Sequence, residues 1–283
     1  MDIDDFTVLA YDPEGSETPL KRGTKIRVRS PLILYRVCGG DAHAFIARKG
    51  DFVTIRLERY HCLHRARNTL FCNLHRASEY SKYLDAVFRE PHGEPGTSLA
   101  KLPHLVYLLH IGGRHTKVGI TNIVKNVRRL AEQPFLNAVI LAVTDSLLQA
   151  RRIEIALSKL SDVTDRMRVD ERLRRLREHA SSIKAELHEL AHTILFSIVP
   201  RIRTLGIDVS TDKPIPVISV SERIRKIYSS TPQATKAAIS SLEGVGEVLD
   251  YVPGALLVSI NGRDLLMPYQ YLRDHMLNLD VVS

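Results

Sequence analysis

The sequence predicts a mixed α+β protein, and three observations carry that prediction. Alternating and β-branched runs, separated by Gly, Asp and Pro, fill much of residues 1–103. Two apolar runs, LVYLLHI and TKVGIT, flank a turn at Gly112-Gly113. Val169, Leu173, Leu176, Ala180, Ile183, Leu187, Leu190 and Ile194 then step by threes and fours, which is the a/d repeat of a long helix. The chain divides accordingly into a β-rich region at 1–103, a hairpin-based α/β domain at 104–165, a long heptad helix at 166–200 and a small α+β module at 201–283.

In the first region KIRVRS, LILYRV, HAFIAR and FVTIRLERY read as strands, with PEGSE, CGGDA and RKGD as the turns between them. RASEYSKYLDAVF reads as a short helix, and the Pro- and Gly-rich REPHGEPGTSLAKLPH as a linker. After the hairpin come a helix at NVRRLAEQ, a buried strand at NAVILAVT and an amphipathic helix over SLLQARRIEIALSKL with Ser146 as N-cap. The heptad stripe either zips to a second copy, making a homodimer, or packs inside the protein. Beyond Pro200 the sequence predicts a strand at KPIPVISV, a helix at TPQATKAAISSL and strands at EVLDYV, ALLVSI and DLLMPY. Asn261-Gly262 is a strong hairpin turn signal.

Of the 283 residues, 44% are hydrophobic and 25% charged, an ordinary globular balance. The net charge of +8 favours polyanionic partners, nucleic acid first. The acidic start, MDIDDFTVLAYDPEGSE, has no basic n-region or apolar h-region, and no apolar run is long enough to span a bilayer. A cytoplasmic protein with no membrane partner is therefore expected. Three cysteines are too few for a disulfide framework and leave room for a metal.

The metal candidates lie in HCLHRARNTLFCNLH. Cys72-x-x-His75 has ligand spacing, and Cys62 with His64 or His61 supplies the other half. The expected set is Cys62, His64, Cys72 and His75 around a structural zinc. Cys38, in VCGG, is expected to be a small buried residue at a turn. The string HELAH, His188 to His192, matches a zinc-protease motif, but the heptad residues around it make a chance match the better reading. No P-loop, dinucleotide fingerprint or Gly-x-Ser-x-Gly elbow occurs.

The order Tyr107, Gly119, Arg129, Glu154 along hairpin, helix and next helix resembles the GIY-YIG nuclease fold. VYLLHIGGRHTKVGIT, RRLAEQPF, ARRIEIAL and LSDVTDRM together resemble the domain of unknown function 2797 family. The resemblance implies a GIY-YIG-like domain at 104–165. It also implies catalytic roles: Tyr107 to activate water, Glu154 to hold magnesium and Arg129 to steady the phosphate. Relatives carry a Cys-x-x-Cys pair in each half of the metal segment, where this chain has Arg65 and His75 at two of the positions. The hairpin departs from the nuclease pattern as well. The first motif keeps only Val106-Tyr107, the second tyrosine is Lys117, and Leu130 follows the helix arginine. Lys117 adds a cation that holds phosphate and repels a metal.

Arg114, Lys117, Lys125 and Arg128 cluster around the hairpin. Arg172 and Arg175 stand in the dense run RMRVDERLRRLREH, where Asp165, Asp170 and Glu171 offset part of the charge. These six are the expected nucleic-acid contacts. Aromatic residues are only 6% and tryptophan is absent, so extensive base stacking is not expected and structured RNA is favoured over single strands. The expected function is nucleic-acid binding, with the ribosome as an attractive partner. The alternatives are a magnesium-dependent nuclease and an assembly factor that dimerises through the heptad helix.

Overall fold

The computed structural model describes residues 8–11, 16–49, 52–67, 69–89, 93, 95–113, 115–161, 163–180, 190, 192–206 and 217–282. The architecture is mixed α+β, as expected. Arg114, Ile183, Leu187, His188 and Glu189 lie outside the described residues.

The central sheet is built on β5 (His104–Gly112), and all nine of its residues are buried. That explains its unbroken apolar run: a strand covered on both faces has no reason to alternate. It pairs antiparallel with β6 (His115–Asn122) and with β7 (Asn137–Thr144). Short β8 (Val163–Thr164) and β9 (Val217–Ser219) complete the order β8-β6-β5-β7-β9. Val106 and Leu108 point into one core, with Leu147, Ala150 and Ile153 of α3 (Leu147–Leu157). Tyr107, Leu109 and Ile111 point into the other, with Leu173 and Leu176 of α4 (Val169–His179) and Tyr228 of α6 (Glu222–Ser230).

The second large sheet mixes the two ends of the chain. β3 (Lys25–Lys49) pairs along its first half with β10 (Gly244–Val252) and β13 (His275–Val282). Its second half pairs with β4 (Phe52–Arg65). β11 (Ala255–Ile260) and β12 (Arg263–Pro268) extend the sheet beyond β10. Asn261 and Gly262 turn between them at φ +51° and +74°, the left-handed pair that a two-residue hairpin requires.

Three sequence readings change. CGGDA is not a turn between strands. It is a bulge within β3, with the register shifting between Val37 and Asp41 while the strand continues. Gly40 sits there at φ +69°, and a Cβ on it would meet the Tyr60 carbonyl oxygen at 1.9 Å. The linker contributes core: Leu99, Ala100 and Leu102 are fully buried around a 3-10 turn at Leu99–Lys101. The helix α6, unread in the sequence, is capped by Ser221, whose hydroxyl accepts from the Ile224 amide.

The heptad stripe spends its described side chains internally. Val169, Leu173, Leu176 and Ala180 belong to the core beside Tyr107, and Leu190 and Ile194 to the core beside α3. Among the described residues no helix is long and apolar enough to cross a membrane.

Candidate metal centre and hairpin site

The bulge in β3 sets Cys38 directly opposite Cys62 of β4. Cys72 and His75 bracket a 3-10 turn at Asn73–His75, just before α1 (Glu79–Phe88). The four ligand atoms all lie within 4.8 Å of one another. Cys62 Sγ is 3.9 Å from Cys72 Sγ, and His75 Nδ1 is 3.4 Å from Cys72 Sγ and 3.6 Å from Cys38 Sγ. A tetrahedral zinc, with bonds of about 2.3 Å to sulfur and about 2.0 Å to nitrogen, sets ligand separations of roughly 3.5–3.8 Å. The cluster therefore has the size and donor set of a zinc site. The amides of Gly40 and Cys72 donate to Cys38 Sγ at 3.3 and 3.2 Å. Burial opposes the Cys72 thiolate, yet the His75 contacts and Cys38 bring that thiol down to about 6. Burial, with the neighbouring Cys38, pushes Cys62 up to about 11.

One ligand assignment is corrected. His64 is exposed and touches Cys62 Sγ at 3.2 Å, but it stands outside the group of four, and Cys38 takes its place. Position on the strand explains this. Residues two apart share a face, so Cys62 and His64 contact each other, but the fourth ligand atom of the group comes from the neighbouring strand. The glycines after Cys38 were the signal for the missed ligand. They let the backbone bend until the Gly40 amide faces the sulfur.

The hairpin site forms where Tyr107 of β5 pairs with Gly119 of β6. A Cβ at Gly119 would meet the Tyr107 ring and hydroxyl at 2.6 Å, so the glycine makes room for the phenol. The Tyr107 hydroxyl accepts from Gln133 Nε2 at 2.7 Å, and the ring is 2% exposed. Burial raises the phenol pKa, with Arg129 opposing it. Arg129, on α2 (Asn126–Ala131), binds Glu132 Oε2 at 2.8 Å. Arg273 binds the same oxygen at 2.7 Å, and Arg128 approaches Glu132 Oε1 at 3.8 Å. Lys117 and Arg172 complete the group: the charges of Arg172 and Arg129 add to burial in holding Lys117 down to about 7.

Glu154 reaches this site electrostatically but is buried in an ion pair with Arg151, and burial raises its pKa. The Glu154 carboxylate is thus engaged by the Arg151 guanidinium and does not stand free to take a hard cation such as magnesium. The other basic candidates are placed differently. Lys125 lies over the Tyr80 ring at 4.9 Å and donates to its hydroxyl. Arg175 is tied to Glu171 at 2.6 Å, as is Arg174 at 2.7 Å, so this part of α4 is a salt-bridged surface.

The sequence pattern of one family, described as a protein of unknown function (DUF2797), matches residues 59–278. The chain belongs to that family. No curated protein and no solved structure matches it. The DUF2797 span holds the whole hairpin site together with Cys62, Cys72 and His75, while Cys38 precedes its first matched residue.

Proposed function

We propose that this DUF2797 protein binds structured nucleic acid, RNA in preference to duplex DNA, through the basic face of its hairpin, and that it does not cleave it. One observation carries the reading. Three guanidiniums, Arg128, Arg129 and Arg273, share the carboxylate of Glu132, Arg273 also meeting Asp274, and they stand beside Lys117 and Arg172, for which the described residues supply no ion-pair partner. Such a surplus of positive charge on a rigid scaffold attracts phosphates and releases their counterions. The sequence resemblance to the GIY-YIG nucleases supports the same ligand, because it implies that Arg129 steadies a phosphate. The residues that would perform turnover argue for binding alone. A buried phenol with a raised pKa is a poor acceptor of a proton from water, and Glu154 is engaged by Arg151.

Zinc belongs to this proposal as a structural ion. Held by Cys38, Cys62, Cys72 and His75, it would tie the bulged β3–β4 pair to the turn before α1. That turn leads to Tyr80, on which Lys125 rests, so the metal would brace one side of the basic face. The ribosome is a fitting source of structured RNA for a protein of net charge +8.

The test is a gel with labelled structured RNA and duplex DNA, in magnesium or manganese, beside a Glu154→Ala variant. The expected result is a salt-sensitive shift, stronger for RNA, with intact nucleic acid in every lane. Cleavage that disappears in Glu154→Ala would replace this reading with the nuclease.

A further inference from the structure

Arg172 is 6% exposed, on the face of α4 that meets the hairpin. Its Nη atoms reach two amide oxygens, Gln133 Oε1 at 3.3 Å and Gln270 Oε1 at 3.4 Å. Its Nε is buried without a hydrogen-bond partner. Lys117 Nζ donates to one backbone oxygen, that of Val118, at 3.2 Å, although an ammonium carries three donors. Glu154 and Asp165 also face Lys117, but Glu154 is held by Arg151. Lys117 is half-buried, but a guanidinium buried with an unused donor, as in Arg172, is costly, and a bound anion removes that cost. The depressed pKa of both groups, Lys117 to about 7 and Arg172 to about 10, has burial as its first cause and fits two cations short of negative charge.

Gln133 links Arg172 to the hairpin that carries Lys117. Its Oε1 accepts from Arg172 while its Nε2 donates to the Tyr107 hydroxyl. We infer that Lys117, together with Arg172 as oriented by Gln133, forms a receptor for a single phosphate oxyanion. The Nε edge of a guanidinium offers two parallel donors that match two phosphate oxygens, and the ammonium supplies a point charge opposite them. The inference deepens the nucleic-acid reading without requiring it, because a free phosphate or a nucleotide carries the same group as an RNA backbone or end.

The test is calorimetry on the full chain with inorganic phosphate, at fixed ionic strength with chloride as control. Binding is expected, weakened at least tenfold by Lys117→Met and by Arg172→Met. Should either variant fail to fold, thermal unfolding of the wild-type protein decides: its midpoint should rise with phosphate and not with matched chloride. No phosphate heat and no such rise, or unchanged binding in both folded variants, overturns the receptor. Oligoribonucleotides with and without a 5′-phosphate then compete for the site. Competition by the phosphorylated form alone assigns a terminal phosphate, and competition by both assigns the backbone. Competition by neither leaves the receptor standing for a small free phosphate, and only the nucleic-acid reading fails.

Discussion

Cys38 shows how a single residue redefines the metal centre. The sequence supplies the Cys72-x-x-His75 spacing, but the partner of Cys62 is across the strand and not along it. Purified protein is expected to carry about one zinc per chain, a Cys38→Ser variant less, and a His64→Ala variant as much as the wild type. Equal loss in the two variants would restore His64 as a ligand. His104 supplies a second test at this scale. It is fully buried between the Leu102 carbonyl and the Tyr83 hydroxyl. Burial holds its folded pKa down to about 4, whereas the unfolded imidazole titrates near 6.5. Between those values the unfolded chain binds more protons, so stability falls as pH drops through that window. Unfolding by urea should show this group costing about 2 kcal/mol between pH 7 and pH 5. A His104→Gln variant should lose that share of the pH dependence, and an identical dependence in both proteins would count against it.

At the scale of elements, the hairpin depends on one cross-strand fit. Tyr107 occupies the space that Gly119 leaves empty. Gly119→Val should destabilise the protein by roughly 1–3 kcal/mol, because the ring must leave its place or the strands must part. A midpoint of denaturation unchanged by this substitution would show that the strands yield freely. Gly40→Ala combines a left-handed backbone with a backbone clash, so it should cost both stability and zinc content. The sequence made β5, β6, β7, α1 and α3 legible, because their apolar periods are undisturbed by special geometry. It concealed the continuity of β3, since a glycine pair reads as a turn whether the chain reverses or only bulges. It concealed α6 as well: SERIRKIYSS is too polar for its short apolar stripe of Ile224, Ile227 and Tyr228 to stand out.

At the scale of the molecule, the cations form two populations. Arg174 and Arg175 of α4 are answered by acids one turn away, whereas near the hairpin Arg128, Arg129 and Arg273 share Glu132, with Asp274 also at Arg273, and Lys117 and Arg172 have no ion pair among the described residues. Sequence shows both as dense basic runs, because a salt bridge within a helix and a shortage of acids across a fold differ only in space. Sequence grouped Tyr107, Gly119, Arg129 and Glu154 through a resemblance to the GIY-YIG fold, with Lys117 as a departure from it, and the structure sets Tyr107 on Gly119. The contribution of Arg172 came without its partners, since Gln133 and Gln270 are distant in the chain. Because β3 carries Cys38 and also pairs with β10 and β13, a zinc held by the four-residue cluster would be tied to the whole fold. Removing metal with a chelator should therefore lower the unfolding midpoint of the chain as a whole and not melt the first region alone. Two separated transitions would contradict that coupling.

The most direct test of the central claim is the salt dependence of binding to a structured RNA, measured by fluorescence anisotropy for the wild type and for Lys117→Met and Arg129→Met. The account predicts that the logarithm of affinity falls linearly with the logarithm of salt, and that each folded variant reduces the slope by about one phosphate contact. Absence of binding at low salt, or a slope that neither substitution alters, would contradict it.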